Sequence, residues 1–438
     1  MEKFAVIGFG VSGRSAAAFL LKQGHTVLVF DKKAEDLKRD SQFALFFSDD
    51  LKDRFQMVSD GAEISLEGIG LVILSPGISS HHPIVQKALQ LGIEVVGEPE
   101  FAFRHLKNRC IGITGTNGKT TTVLLVAHIL NQAGKKARAL GNVGVSLTSY
   151  LLHPDPEEIL VVELSSYQLE TLNVRCLEAA AILNLTPNHL DRYPSMAAYA
   201  AAKIRIQNCL ADQGKLFVSV QVVQEYGFSL KEERIVFDDE LCCKEEFFPP
   251  KALENSIQLG LPEKQNILAA LALCSYLGVS RSLFQRGLET FRKPSHRIEW
   301  VAEIEGVSYY NDSKSSNIES VMHAMSLFNG PLILIAGGVD KGSSYRPWIA
   351  AFGKKLKKMI AYGEASQKME QELGGSFSFC RRNSLQEAVA CARAEAEEKD
   401  VVLLSPGCSS FDQFRNYEHR GEEFKRLVKE PPQRKEIP

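Results

Sequence analysis

The stretch GITGTNGKTTT at residues 112–122 places a lysine and several threonines directly after a run of small residues. Glycines let backbone N–H groups approach an anion closely, Lys119 adds a positive charge, and the Thr120 hydroxyl suits Mg²⁺. The spacing departs from the usual P-loop, because five residues separate Gly112 from Gly118 and only two separate Gly115 from Gly118. We interpret the stretch as a phosphate-binding loop. The alternative is a tight glycine turn before an ordinary helix.

Oxygen and nitrogen side chains follow the next apolar segments. Glu163 ends the buried-strand pattern LVVEL, where a carboxylate would face the same edge as the loop and could bind Mg²⁺. The later segment NLTPNHLDRYPSMAAYAAAK adds four further candidates, His189, Asp191, Tyr199 and Lys203. A lone glutamate at a strand end is more often solvated, a lone histidine is more often structural, and a lysine on an alanine-rich helix is usually exposed.

A second glycine cluster, VIGFGVSG at residues 6–13, fits the dinucleotide fingerprint G-x-G-x-x-G. A strand pattern precedes it, a helix pattern follows it, and Asp31 ends the next strand at about the spacing of a ribose-binding acid. The fingerprint indicates a bound diphosphate but does not identify the base. The alternative is a turn used only for packing.

Basic and acidic residues cluster at predicted strand exits in the last third of the chain. They are His296, Arg297, Asp312, Lys314, Lys341 and the loop SPGCSSFDQF. Arginine and lysine suit phosphate and carboxylate recognition, so we expect a ligand-binding edge there.

The secondary structure that would position these residues falls into three blocks of alternating strands and helices. KFAVIG, HTVLVF and LVILSPG predict a doubly wound sheet in the first block, which ends at a turn predicted at GEP near residue 98. The second block opens with the strand CIGIT and a helix from about Lys119 to Gln132, and Pro294 precedes its end near residue 298. The third block repeats apolar strands with polar exits. We therefore predict an α/β protein with domains at residues 1–97, 98–298 and 299–438.

Size and composition agree with an ordinary globular protein. The chain has 438 residues, 45% hydrophobic and 24% charged, which suggests about three domains of ~150 residues. A net charge of −2 does not favour nucleic acid or an anionic membrane as a partner. Nine cysteines without a C-x-x-C pair indicate free thiols in a reducing compartment, and no signal segment or run of about 18 apolar residues occurs. We expect a cytoplasmic protein without membrane insertion, and a monomer.

Six segments resemble the ATP-dependent Mur ligases and occur in that family's order. They are GTNGKTTT, VVELSSYQL, HLDRYPSMAAYAAAK, HRIEW, NDSKSSN and SPGCSSFDQF. The resemblance covers essentially the whole chain, and the two ends of the chain look most like the D-glutamate-adding branch of the family.

The resemblance implies a three-domain enzyme of peptidoglycan synthesis. A Rossmann-like N-terminal domain would hold the UDP sugar, a P-loop-like central ATPase domain would hold ATP and Mg²⁺, and a Rossmann-like C-terminal domain would hold the amino acid. In this family ATP phosphorylates the terminal carboxylate of UDP-N-acetylmuramoyl-L-alanine (UDP-MurNAc-L-Ala), and the amine of D-glutamate attacks the resulting acyl phosphate.

The resemblance also implies roles for individual residues. Lys119, His189 and Lys203 would be catalytic, and the metal site would consist of Thr120, Glu163, His189 and Lys203, the last as a carbamate. The other implied sites are, for ATP, Gly115, Thr116, Asn117, Gly118, Lys119, Thr120, Thr121, Asn266, Arg297 and Asp312; for the UDP sugar, Ser12, Asp31, Gly77 and Asn142; and for the amino acid, Ser316, Lys341, Ser410 and Tyr417.

The chain departs from the family pattern at two places. LGLPEKQNILAAL keeps Asn266 but lacks the His-Asn pair that usually precedes it, which leaves the adenine contacts open. Asn188 stands where the family usually has an acid before His189.

Four other functions explain less of the sequence. Folylpolyglutamate synthetases share the ligase core but lack a preceding nucleotide domain of this length. The diaminopimelate-adding Mur ligases typically carry a DNPR motif, which is absent here. An NAD-dependent dehydrogenase would account for residues 6–31 but not for GTNGKTT, and a nucleotide-sensing module would not need Glu163, His189 and Lys203 together.

Overall fold

The computed structural model describes residues 2–39, 46, 51–60, 65–79, 81–142, 144–188, 192–238 and 263–430. The chain forms two compact units. The first comprises Met1–Phe247 and Gln265–Phe291, and the second comprises Phe248–Lys264 and Arg292–Pro438.

The first unit contains two parallel sheets, of which one is built by the N-terminal residues. Its strands are β1 (Lys3–Ile7), β2 (Thr26–Phe30), β3 (Phe55–Val58), β4 (Ile69–Leu74) and β5 (Glu94–Gly97), in the order β3-β2-β1-β4-β5. The helices are α1 (Val11–Lys22), α2 (Ala34–Arg39), α3 (Pro83–Gln90) and α4 (Glu98–His105). Because the strand order reverses between β1 and β4, the loops after these strands border the crevice in which such sheets bind ligands.

The second sheet of this unit has six parallel strands. These are β6 (Cys110–Thr114), β7 (Ala137–Gly141), β8 (Ile159–Glu163), β9 (Leu177–Ile182), β10 (Leu210–Ser219) and β11 (Arg234–Phe237), in the order β11-β10-β9-β6-β8-β7. The helices are α5 (Lys119–Gln132), α6 (Leu147–Tyr150), α7 (Ser166–Glu170), α8 (Met196–Ile204), α9 (Val220–Tyr226), α10 (Lys264–Tyr276) and α11 (Arg281–Thr290). Since β6 lies between β8 and β9, the residues that follow these three strands share one edge.

One hydrophobic core contains residues from both sheets of this unit and from the helices that pack on them. It includes Phe19 of α1, Phe101 of α4 and Tyr150 of α6, and the rings of Phe19 and Phe101 meet edge to face at 5.9 Å. The buried Glu98 carboxylate accepts bonds of 2.8 Å from both the N–H and the hydroxyl of Thr148. The first unit is therefore continuous across its two sheets.

The second unit is built on a third sheet. Its strands are β12 (Glu299–Ile304), β13 (Val307–Asn311), β14 (Leu332–Gly337), β15 (Leu356–Tyr362), β16 (Phe379–Arg382) and β17 (Val401–Leu404), in the order β12-β13-β17-β14-β15-β16, with β12 antiparallel to β13 and the other pairs parallel. The helices are α12 (Ile318–Ser326), α13 (Pro347–Phe352), α14 (Ser366–Leu373), α15 (Leu385–Glu395) and α16 (Tyr417–Lys429). Apolar cores cover both faces of the sheet.

The predicted α/β class with three sheets is confirmed, but the turn predicted at GEP is wrong. Gly97 ends β5 and adopts an extended conformation as the N-cap of α4. Pro99 lies in the first helical turn, and Glu98 and Glu100 place negative charge where the helix dipole favours it. In the part of the chain that the structure describes, no helix is long and apolar enough to cross a membrane.

Candidate functional site

The predicted phosphate-binding loop joins β6 to α5 and depends on two glycines with positive φ. Gly115 has φ 152° and Gly118 has φ 80°, conformations that other residues rarely adopt. A Cβ on Gly118 would lie 2.1 Å from Oδ1 of Asn266, so the predicted nucleotide-binding Asn266 packs against this loop. Because the loop leads directly into α5, its N–H groups and the helix dipole favour an anion at this edge.

The Lys119 side chain folds over the loop. Its Nζ donates hydrogen bonds to the carbonyl oxygens of Gly115 at 2.8 Å and of Thr116 at 2.7 Å. The ammonium group therefore lies where it can meet phosphate oxygens held by the loop.

A second layer of contacts holds the loop, and sequence reasoning missed its main residue. Asn184, which follows β9, accepts a 2.8 Å bond from the Asn117 N–H and donates a 3.2 Å bond to the Asn117 carbonyl. The Thr116 hydroxyl lies 3.1 Å from the Tyr199 hydroxyl and also bonds the Thr186 carbonyl. The available signal was the position of Asn184 at a buried strand exit, which the sheet order places beside β6.

Three of the predicted polar residues meet beside the loop. The Thr120 hydroxyl donates a 2.7 Å hydrogen bond to Oε2 of Glu163, and the Asn142 amide donates a 3.1 Å bond to Oε1. Asn142, predicted to contact the sugar substrate, thus lies at the edge that also carries Glu163. Among the described residues no group of three or more His, Cys, Asp and Glu side chains could hold a metal ion alone. Glu163 and the Thr120 hydroxyl offer oxygen ligands to a cation at this edge.

Lys203 is buried in the last turn of α8, with 2% of its surface exposed. Burial lowers the pKa of Lys203 well below its usual value, and the nearby Lys119 cation lowers it further, while Glu163 opposes the shift. Its Nζ lies 5.0 Å from the ring centroid of Tyr199. His189 and Asp191, which were singled out in the same segment, lie outside the described residues.

The predicted diphosphate loop lies at the edge of the first sheet, between β1 and α1. A Cβ on Gly13 would lie 1.9 Å from the Gly8 carbonyl oxygen, whereas a Cβ on Gly10 would meet nothing within 4 Å. The Ser75 hydroxyl, after β4, donates a 2.8 Å bond to the Gly8 carbonyl. Gly13 therefore permits close packing, and Gly10 leaves room beside the loop.

Three of the four predicted sugar-site residues, Ser12, Asp31 and Gly77, lie in or near this loop, whereas Asn142 lies beside Glu163. Asp31 accepts a 2.7 Å bond from the Phe9 N–H and a 2.8 Å bond from the Lys33 N–H. Ser12 lies in the first turn of α1, and its carbonyl accepts a bond from the Thr148 hydroxyl. Gly77, with φ 94°, lines a groove that runs from the end of β4 to α7. Binding of the UDP sugar by these residues stays a prediction.

One wall of the groove is formed by polar side chains that the sequence did not single out. Tyr167, Glu170 and Arg192 line it. The guanidinium of Arg192 lies 4.1 Å from the Tyr167 ring centroid and pairs with Glu170 at 2.8 Å.

The second unit presents Asp312 at the end of β13. Its buried carboxylate accepts a 2.7 Å bond from the Ser405 hydroxyl and a 3.3 Å bond from the Ile298 N–H. Burial raises the pKa of Asp312 to about 6, although these bonds and the nearby Arg297 cation oppose the shift. His296 and Ile298, on either side of Arg297, both have positive φ, at 66° and 51°. Strain of this kind commonly marks functional segments.

The predicted amino-acid residues lie at the same edge of the third sheet. Lys341 Nζ donates a 3.1 Å bond to the Ser316 hydroxyl. Tyr417 begins α16, and its ring centroid lies 3.8 Å from Lys314 Nζ. Ser410 is buried in the loop after β17. Hydroxyl and ammonium groups at a strand edge suit a carboxylate ligand.

Comparison with known proteins finds three family matches along the chain. They are the MurD-like N-terminal domain of Mur ligases at residues 2–97, the Mur ligase middle domain at residues 113–234, and the Mur ligase glutamate ligase domain at residues 296–408.

Full-length relatives agree with these matches. The UDP-N-acetylmuramoylalanine–D-glutamate ligase of Protochlamydia amoebophila is 44% identical over 98% of both chains. The enzyme of the same name from Caldanaerobacter subterraneus is 36% identical over 98% of both chains. Among solved structures, MurF ligase from Thermotoga maritima in complex with ADP has a TM-score of 0.57 at 15% identity, with 92% of this chain and 95% of that one covered, and so shares the fold. The chain belongs to the Mur ligase family, and its full-length relatives are D-glutamate-adding members.

Proposed function

We propose that the protein joins D-glutamate to UDP-MurNAc-L-Ala at the expense of ATP in peptidoglycan synthesis. The observation that carries the proposal is the phosphate loop of a Mur ligase with Lys119 above it and the Thr120–Glu163 pair beside it. The carboxylate would be activated as an acyl phosphate, and the D-glutamate amine would displace the phosphate.

Residues Gly115–Thr121 would bind the ATP phosphates through their N–H groups and the dipole of α5. Lys119 would exchange its bonds to the loop carbonyls for bonds to phosphate oxygens. Asn266, Arg297 and Asp312 would contact the rest of the nucleotide. A buried carboxylate such as Asp312 can accept hydrogen bonds from ribose hydroxyls.

The residues present fit Mg²⁺ bound together with ATP. Thr120 and Glu163 offer a hydroxyl and a carboxylate within one hydrogen bond of each other, and these are hard oxygen ligands. His189 would add a further ligand. When bound, the ion supplies positive charge against the transferring phosphoryl group.

We propose that Lys203 is carbamylated. Its amine is buried beside the Glu163 region, and burial favours the uncharged form that attacks CO₂. The nitrogen lone pair forms a bond to the CO₂ carbon, one proton leaves, and the product carries a carboxylate-like charge. The chain would thereby gain an additional oxygen ligand for Mg²⁺.

The UDP sugar and D-glutamate would bind at the edges of different sheets. Ser12, Asp31 and Gly77 would bind the UDP moiety, and Asn142 would contact the sugar near Glu163. Ser316, Lys341, Ser410 and Tyr417 would bind D-glutamate. We assign these roles to domains at residues 1–97, 98–298 and 299–438, and we propose a monomer that acts in the cytoplasm.

The test is a substrate panel that measures ADP release. We expect release only when UDP-MurNAc-L-Ala and D-glutamate are both present, and little with L-glutamate, L-lysine or diaminopimelate in place of D-glutamate. Equal ATP use without the UDP sugar would overturn the proposal, as would a preference for another amino acid.

A further inference from the structure

Two cysteines of the second unit meet away from the strand edge that carries the predicted ligand residues. Cys380 lies on β16, the outer strand of the third sheet, and Cys391 lies on α15, the helix that follows it. Their Sγ atoms are 3.4 Å apart. Sulfur atoms at this separation are within contact distance, so a bond between them requires little movement of either side chain.

Two basic side chains lie beside this cysteine pair. The Arg382 guanidinium donates a 3.2 Å bond to Sγ of Cys391, and the Lys358 ammonium group also interacts with both sulfurs while it pairs with Glu395 at 2.6 Å. Reactive cysteines lie in partly exposed, electropositive surroundings, whereas structural cysteines lie in apolar ones. Cys380 is half-buried at the outer strand, so a small oxidant can reach the pair.

The two sulfurs differ in their contact with positive charge, because the Arg382 guanidinium donates its bond to Sγ of Cys391. Burial and the neighbouring Cys391 together raise the pKa of Cys380 to about 11. Since a guanidinium donor can stabilise negative charge on the sulfur that it contacts, Cys391 is suited to attack the peroxide and Cys380 to react second.

We propose that Cys380 and Cys391 form a reversible disulfide when the protein meets a peroxide. The Cys391 sulfur attacks one peroxide oxygen, the O–O bond breaks, and water leaves as the sulfenic acid forms. The Cys380 sulfur then attacks the Cys391 sulfur, the S–O bond breaks, and a second water leaves. In total, two thiols and one hydrogen peroxide give one disulfide and two waters, so the thiols are oxidised and the peroxide is reduced.

The disulfide would close a short loop that contacts the segment carrying Ser410, one of the predicted amino-acid-binding residues. Asn383 lies in the turn between β16 and α15, Leu385 begins α15, and the Gln413 side chain bonds the backbones of both. Gln413 belongs to the SPGCSSFDQF loop, which also carries Ser410. The bond would therefore restrain a turn that this loop contacts.

The test uses the reduced full-length protein and hydrogen peroxide. After peroxide is removed with catalase, free thiols are blocked with N-ethylmaleimide, and the protein is digested and analysed by mass spectrometry. We expect a linked peptide pair that contains Cys380 and Cys391, lighter than the two thiol peptides by two hydrogen atoms and split by dithiothreitol. Thiol titration in denaturant should fall by two from the nine cysteines of the chain.

Two comparisons make the outcome decisive. Cys380→Ser and Cys391→Ser should each abolish the link, whereas Cys176→Ser, at a half-buried cysteine of the first unit, should leave it intact. Native protein should also form the link faster than protein in urea, because the fold holds the sulfurs together. Oxidation of either cysteine to a sulfinic acid without the link, or an equal rate in urea, would overturn the proposal.

Discussion

The Thr120 hydroxyl donates a 2.7 Å hydrogen bond to Oε2 of Glu163, and so connects the first turn of α5 to the end of β8. Glu163 also accepts a bond from Asn142, which follows β7. One carboxylate therefore organises three neighbouring segments beside the phosphate loop. Substitutions can separate the effect of the negative charge of Glu163 from the effect of its hydrogen bonds.

Glu163→Gln retains an oxygen that can accept the Thr120 bond but removes the negative charge. We expect the Mg²⁺ concentration for half-maximal ADP release to rise about ten-fold or more, since Mg²⁺ prefers carboxylate ligands. The matched control is Glu158→Gln, which precedes the same strand at its opposite end, where Glu158 pairs with Arg138. An unchanged Mg²⁺ requirement in Glu163→Gln would contradict the predicted metal role.

Lys119→Ala removes the ammonium group above the phosphate loop. We expect kcat/KM for ATP to fall by about 10²–10³-fold, the usual effect of losing one preorganised charge at a transferring group. Lys215→Ala, at an exposed position on β10, should leave the rate unchanged. Steady-state kinetics with ATP as the varied substrate would check this, and comparable kinetics in the two variants would rule out the role.

Lys203→Ala removes the proposed carbamate while leaving the loop residues in place. We expect kcat to fall by about 10²-fold or more, since several kcal/mol of charge stabilisation depend on the metal site. Formate or acetate should restore part of the activity, because a small carboxylate can replace the missing ligand. The same acids should not rescue Lys119→Ala. Failure of rescue at every concentration would argue against the carbamate.

Two glycines of the first sheet should respond differently to alanine. Gly13→Ala places a Cβ 1.9 Å from the Gly8 carbonyl oxygen, so we expect a lower melting temperature. Gly10→Ala meets nothing within 4 Å and has negative φ, so its melting temperature should stay near that of the unsubstituted protein. If the UDP diphosphate passes beside this loop, Gly10→Ala should nevertheless raise KM for the UDP sugar. Unchanged binding would place the diphosphate elsewhere.

Asp312 should make stability depend on pH. Burial raises its pKa from the usual 3.8 of an aspartate to about 6 in the folded protein. Between these values the folded state binds more protons, so stability falls as pH rises from about 4 to 6, by about 3 kcal/mol in total. Asp312→Asn should remove this contribution, so the variant should gain stability relative to the unsubstituted protein across that window. Urea denaturation at several pH values would measure it, and a constant difference would contradict the shift.

The sequence predicted those parts of the structure that local patterns determine. The glycine clusters predicted strand-to-helix loops after β1 and β6, and the helix predicted from about Lys119 to Gln132 agrees with α5. The sequence did not identify Asn184, because its contact with Asn117 depends on β9 lying beside β6. Neither segment alone indicates that strand order. The burial of Lys203 could not be derived from its alanine-rich helix, since packing against other segments decides which face of that helix meets water.

The continuous core of the first unit limits how this protein can be recombined with its relatives. Phe19 packs on Phe101, and the Thr148 N–H donates a hydrogen bond to Glu98. Residues that follow Gly97 in the chain therefore help to stabilise the first sheet and its helices. A chimera joined at that glycine would pair this first sheet with foreign versions of α4 and α6. A chimera that exchanges the N-terminal segment between Mur ligases should therefore transfer α4 and α6 of the same protein together with it.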